Sequence, residues 1–190
     1  MRLKRLPILT MPNPEANRSM SGIGDLNVFL SVNVISKATT TFGFGPLLNA
    51  PTTAGTDDLR DVTASKWQLG AAMVLFKIFS PVVQFGTLLT WQMSLGDKPD
   101  LKDQNLIVAQ PILMIQLGKG IYLRSAAMWT FDVEYEHYTI PFGLGLGKVI
   151  KAGKVVFNGF MEPTFTLFSN NPDQPLFQLF AGLNLQFAKG

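Results

Sequence analysis

Leu176-Phe177-Gln178-Leu179-Phe180-Ala181-Gly182-Leu183-Asn184-Leu185-Gln186-Phe187 is the stretch whose reading decides the fold. Phe177, Leu179, Ala181, Leu183, Leu185 and Phe187 alternate with Gln178, Gly182, Asn184 and Gln186. An extended chain points successive side chains to opposite faces, so this stretch reads as a strand with one apolar and one polar face.

The rule carries backwards along the chain. In 155–168, Phe157, Met161, Phe165 and Leu167 oppose Asn158, Glu162, Thr164 and Thr166. In 120–132, Ile121, Leu123, Ala127, Trp129 and Phe131 oppose Tyr122, Arg124, Thr130 and Asp132. Further strands are expected at 138–149, 105–117, 82–95, 67–76, 40–50, 26–36 and 2–10, about ten in all. Phe29, Val74, Leu88, Phe160 and Phe180 fall on the polar parity, as a narrow barrel interior packed with some large side chains would allow. The most apolar run, 69–89, contains Lys77, Ser80, Pro81, Gln84 and Gly86. A spanning helix needs about 20 mainly apolar residues and tolerates a central lysine poorly, so this run reads as two strands meeting at a turn near 76–81.

The spacers alternate in length. Short ones at 36–39, 77–80, 118–120 and 151–154 interleave with longer polar ones at 11–25, 51–66, 96–104, 133–137 and 169–174. Short turns on one side of a membrane and long loops on the other are the pattern of outer-membrane barrels. The three tryptophans fit it. Trp67, Trp91 and Trp129 each have apolar parity and lie at strand ends next to a long spacer, as an aromatic girdle requires, with the indole N–H able to reach water. Phe42, Phe157 and Phe187 are expected at the opposite interface.

Composition removes several classes. The 190 residues contain no Cys and one His, so disulfide frameworks, structural zinc and thiol chemistry lack their residues. The net charge of +3 is spread thinly, without the gathered Lys and Arg of a nucleic-acid surface. Arg2-Leu3-Lys4-Arg5 is not followed by the apolar core of about 7–15 residues that a signal peptide needs. Phe142-Gly143-Leu144-Gly145-Leu146-Gly147-Lys148 misses the phosphate-loop spacing because Val149 follows the lysine, and it misses the dinucleotide fingerprint because the third glycine comes early. It reads instead as a strand with glycines on its inner face. His137 beside Asp132, Glu134 and Glu136 is a weak metal constellation, and Ser125 has no oriented base. No catalytic residue, metal site or cofactor is expected.

The inner-face candidates are Gln84, Gln92, Gln110, Gln116, Tyr122, Arg124, Thr130, Asp132, Asn158 and Glu162, which would line or constrict a pore. The competing reading pairs Arg124 with Asp132 or Glu162 in a plug that does not conduct.

Read end to end, the order of motifs resembles the outer-membrane family named after the MetA pathway of phenol degradation. The matching pieces are Gly22-Ile23-Gly24-Asp25-Leu26, Gly43-Phe44-Gly45-Pro46 with Ala50-Pro51-Thr52, Lys66-Trp67-Gln68-Leu69-Gly70 and Gln110-Pro111. Tyr122-Leu123, Thr130-Phe131-Asp132 and Thr139-Ile140-Pro141 leading into Gly145-Leu146-Gly147-Lys148-Val149 complete the series. Val133 stands where the family tends to place a tryptophan. The resemblance implies the bacterial outer membrane, uptake of small hydrophobic or aromatic compounds, and recognition of the last strand by the barrel-assembly machinery. Ala188-Lys189-Gly190 trail Phe187, where that signal ends on the aromatic.

The expectation is therefore an all-β protein: a single antiparallel transmembrane β-barrel domain over 1–190, with about ten strands here and about twelve in a full-length parent. Relative to that parent, an N-terminal hairpin and a signal peptide are expected to be missing. Its expected partners are the lipid bilayer, the assembly machinery and a small-molecule solute, with no nucleic acid. A structural or interaction barrel with a plugged lumen and a soluble ligand-binding barrel are the alternatives.

Overall fold

The computed structural model describes residues 2–5, 8–13, 18–23, 26–52, 66–96, 103–171 and 174–187. Among these the fold is all-β and antiparallel. The strands are β1 (Arg2–Arg5), β2 (Ile8–Asn13), β3 (Arg18–Ile23), β4 (Leu26–Leu30), β5 (Val32–Lys37), β6 (Thr40–Ala50), β7 (Gln68–Ile78) and β8 (Val83–Ser94). They continue with β9 (Asn105–Gly118), β10 (Ile121–Ser125), β11 (Trp129–Asp132), β12 (His137–Gly143), β13 (Gly145–Ala152), β14 (Val155–Ser169) and β15 (Phe177–Phe187). Thirteen of them form one sheet, while β2 and β3 pair only with each other.

From β6 to β10 the sheet is a meander of sequential neighbours, after which β10 pairs with β13, and hairpin chemistry fixes its short end. Lys119 and Gly120 both have positive φ (51° and 75°) between the paired Gly118 and Ile121, the type I′ geometry that matches strand twist. Between Ala152 and Val155 only Gly153 has positive φ, at 60°, the glycine-first arrangement of type II′. The run 69–89 is split as expected, β7 and β8 pairing from Gln68↔Ser94 to Ile78↔Gln84.

The sheet curls. Asn27 on β4 donates a 3.5 Å hydrogen bond to Gln92 on β8, although β6 and β7 lie between those strands. Three spacings of about 4.8 Å would hold them far apart in a flat sheet. The concave face carries the buried residues Leu47, Asn49, Gln68, Ala72, Gln110, Tyr122 and Glu162. The convex face carries exposed Leu69, Phe142, Leu146, Met161, Phe165 and Leu179. Polar groups inside and apolar groups outside invert the distribution of an ordinary soluble domain.

Ten expected strands become fifteen segments for identifiable reasons. The 2–10 strand is two, β1 on the main sheet against β4 and β2 in the separate hairpin, and β3 occupies part of what reads as the long polar spacer 11–25. The expected 26–36 strand is divided at Ser31 into β4 and β5, the expected 120–132 strand is broken at 126–128, and 138–149 at Leu144. Prolines explain the last two breaks. The registers Ser125↔Leu113 and Trp129↔Ala109 place Ala127 opposite Pro111, and Arg124↔Gly145 with Thr130↔Thr139 places Met128 opposite Pro141. Neither proline has an N–H to give the ladder. Leu144 in turn faces Pro163, to whose carbonyl its N–H donates at 3.3 Å. Hydrogen bonds therefore run β9–β10–β13–β14–β12–β11 and back to β9, a local ring around the opening. Among the described residues no ladder joins β15 to β1 or β5. The centres of the long spacers (53–65 and 97–102), Gly24-Asp25 and residues 188–190 lie outside the described residues.

Candidate functional site: the concave face beside the broken strand

Glu162 organises the concave face. It projects from β14, across the glycines of 143–147, towards the break. Its Oε2 accepts a 2.6 Å bond from Arg124 Nε, and its Oε1 accepts a 2.6 Å bond from the Ala126 N–H. The Ala126 carbonyl accepts from Gln110 Nε2 at 2.8 Å. Side chains thus engage both backbone groups of a residue that the prolines remove from the ladder, as buried backbone groups require. Glu162 is 1% exposed, a burial tolerable for a carboxylate only with a charged partner and further donors.

Arg124 is held from its other side by rings. Its Cζ lies 3.8 Å from the Phe160 ring centroid and 5.7 Å from that of Phe180, and the two rings are 5.4 Å apart. The guanidinium therefore has a carboxylate at its edge and an aromatic face beneath it. Tyr122, one turn of the alternation away, donates to Asn158 Oδ1 at 2.7 Å.

The glycine run makes this arrangement possible. Gly143, Gly145 and Gly147 are buried while Phe142, Leu144 and Leu146 are exposed. A Cβ at Gly143 would lie 2.6 Å from Glu162 Oε1, and one at Gly147 would overlap the Tyr122 ring. Residues of β10 and β14 can meet over β13 because β13 has no side chains between them.

Beside Glu162 lies a cavity of about 180 Å³. Thr130, Thr139, Thr164 and Thr166 line it with Gln110 and Gln178. Phe180 and Met128 supply apolar wall. Farther along the concave face, at the long-spacer end, Asn49 donates to Gln68 at 3.0 Å and Gln68 donates to Gln104 at 2.8 Å. Lys66, 1% exposed, reaches Asp103 at 2.7 Å.

Of the ten expected inner-face residues, the structure gathers Gln110, Tyr122, Arg124, Thr130, Asn158 and Glu162 around the break. Gln84 and Gln116 are half-buried towards the short-turn end, and Gln92 sits beside Asn27. Arg124 pairs with Glu162, not Asp132. The Asp132 carboxylate accepts from the N–H groups of Glu134 (3.0 Å) and Tyr135 (3.3 Å) in its own turn. Asn49, Gln68, Thr139, Thr164 and Gln178 were not among the candidates, although Thr164 and Gln178 already carry the polar parity.

Trp67, Trp91 and Trp129 are all exposed near the long-spacer ends of their strands, and Phe187 is exposed at the opposite end. Two indoles are engaged by protein. Trp91 Nε1 donates to Asn105 Oδ1 at 2.9 Å, and Trp129 Nε1 to the Pro141 carbonyl at 3.2 Å. No family model and no curated protein matches the chain.

Proposed function

We propose that this protein acts in a bacterial outer membrane as a β-barrel channel or facilitator through which small molecules pass passively. The observation that carries the reading is the inverted surface. Leu, Phe, Met and Trp face outwards along strand after strand while amides, hydroxyls and an ion pair face the concave side. A hydrocarbon exterior makes that surface favourable; in water it would be a large apolar patch inviting association. The tryptophans at one end and Phe187 at the other supply two interfacial girdles. Lipid, the barrel-assembly machinery and the solute are the partners this reading entails. The resemblance to the phenol-degradation family extends it to hydrophobic or aromatic solutes.

A second reading has its own support. Arg124, Glu162, Phe160 and Phe180 pack together on the inner side, which suits a plugged barrel serving as scaffold or interaction platform. Planar-bilayer recording on the refolded protein tests the first reading. Discrete conductance steps or solute flux are expected, and a silent bilayer with protein demonstrably inserted overturns it in favour of the plug.

A further inference from the structure

The cavity beside Glu162 has a chemical character that its lining defines. Among the described residues its one ionisable wall residue is Glu162, whose two oxygens are already engaged by Arg124 and Ala126. The described wall therefore offers no free charge. It does offer unengaged hydrogen-bonding groups. Thr139 is bonded to Ser169 and Thr166 to the Pro175 carbonyl, but the Thr130 and Thr164 hydroxyls and the Gln178 amide have no partner among the described residues. Thr164 is 7% exposed, so its hydroxyl has little but the cavity to address.

The broken strand adds a second, independent set. Ala127 and Met128 enter no ladder, and among the described residues no hydrogen bond engages their peptide groups. Ala127 is nevertheless 8% exposed. Buried peptide groups are nearly always satisfied by protein, water or ligand; Ala127 is buried, Met128 is 51% exposed, and both border the same cavity as Thr130 and Thr164. Phe180 closes one side with an apolar surface.

We infer that this cavity is a binding site for a small, uncharged polyol of monosaccharide size or less. Hydroxyls that both donate and accept match a wall of hydroxyls, an amide and free peptide groups, all of which also do both except the lone N–H and C=O dipoles. The C–H face of such a solute suits Phe180. At about 180 Å³ the space falls below the roughly 300–1,000 Å³ of drug-sized pockets, so it admits a solute of monosaccharide size or smaller. An anion would meet the Glu162 carboxylate without a free cation. A plain aromatic would leave the threonines and peptide groups unpartnered. The inference needs the concave face and not the transport reading.

The test is saturation-transfer NMR and calorimetry on the full chain refolded in detergent micelles, with xylitol, glucose, gluconate and phenol as probes. Saturable binding of xylitol or glucose is expected, with gluconate and phenol at least about tenfold weaker. Thr164→Val and Thr130→Val keep side-chain shape and should each weaken polyol binding roughly fivefold, the scale of one lost hydrogen bond, with circular dichroism unchanged. Gln178→Leu, at an exposed position, gives the same readout should a threonine variant fail to fold. Absence of saturable polyol binding, equal binding by the variants, or preference for phenol overturns the inference. Conductance is measured on the same samples. A silent barrel that binds xylitol defeats transport and leaves the site standing, whereas a conducting barrel that binds no polyol does the reverse.

Discussion

Two polar clusters occupy the concave face, and they are built on opposite terms. The amide chain Asn49–Gln68–Gln104 lies across β6 and β7, whose ladder is unbroken from Thr40↔Lys77 to Asn49↔Gln68. Its side-chain bonds supplement a backbone that is already satisfied. The Glu162 cluster lies where Pro111 and Pro141 have taken donors out of two adjacent ladders, and its side chains replace backbone bonds. The buried carboxylate is found at the second site, where it takes an arginine and a peptide N–H together, whereas the buried ion near the amide chain is Lys66, paired with the exposed Asp103. The contrast makes the two clusters energetically unequal.

The largest effect is expected at Glu162. Glu162→Ala removes the partner of both Arg124 and the Ala126 N–H, and loss of one member of a buried pair costs about 3–5 kcal/mol. Urea unfolding in lipid vesicles, followed by tryptophan fluorescence, measures it. A cost below that of Gln68→Ala would break the comparison outright. Arg124→Ala should cost about as much, because it leaves the 1%-exposed Glu162 carboxylate with the Ala126 N–H but without its counter-ion.

Gly147 ranks next. Gly147→Val drives branched carbons into the Tyr122 ring, and overpacking of this kind costs about 1–3 kcal/mol. Tyr122→Phe, which only frees Asn158 of its donor, should cost about 1 kcal/mol. If the double variant Gly147→Val with Tyr122→Ala recovers most of the loss in the same unfolding assay, the glycine is there to admit the ring. Recovery of none of it would assign the glycine to backbone conformation.

Gln68→Leu should cost about 1–2 kcal/mol, less than Glu162→Ala. Removing a neutral amide from an intact ladder leaves only the Asn49 and Gln104 groups to find other partners. Paired with Glu162→Gln, it asks whether charge or position sets the difference. A Glu162→Gln cost close to that of Glu162→Ala would assign it to charge, and a cost close to that of Gln68→Leu would assign it to position.

The strand positions and the inversion of faces were legible because period two survives in nearly every segment, the 176–187 stretch above all. The pairing of Arg124 with Glu162 was legible only as one of two options, since parity gives a face and not a distance across β13. The breaks were written in Pro111, Pro141 and Pro163, each inside a run otherwise reading as strand, where a proline already argues against an unbroken ladder. What no single strand shows is that these prolines fall in register with one another; that depends on the pairing. The cavity follows from the same alignment, so Thr164 and Gln178 carried the right parity without any sign that they meet. The β2–β3 hairpin lay in a stretch rich in Pro, Asn and Ser that offers no clean alternation.

The smallest stability effect, and the sharpest on the outer face, is expected at Trp91. The indole is 43% exposed on the convex face, and its N–H donates to Asn105. Trp91→Phe therefore removes one partly exposed hydrogen bond and little buried area, a change within about 0.5–1 kcal/mol. Its value is spectroscopic. With Trp67 and Trp129 replaced by Phe, Trp91 reports alone, and brominated lipids should quench it most strongly when the bromine sits near the headgroups, as a girdle residue requires. Quenching that peaks with bromine at the bilayer centre would move the girdle off Trp91. No quenching at any depth, from protein that remains folded, would mean that the apolar convex face meets something other than lipid, and the amide and ionic clusters would then have to be compared as parts of a water-soluble trough.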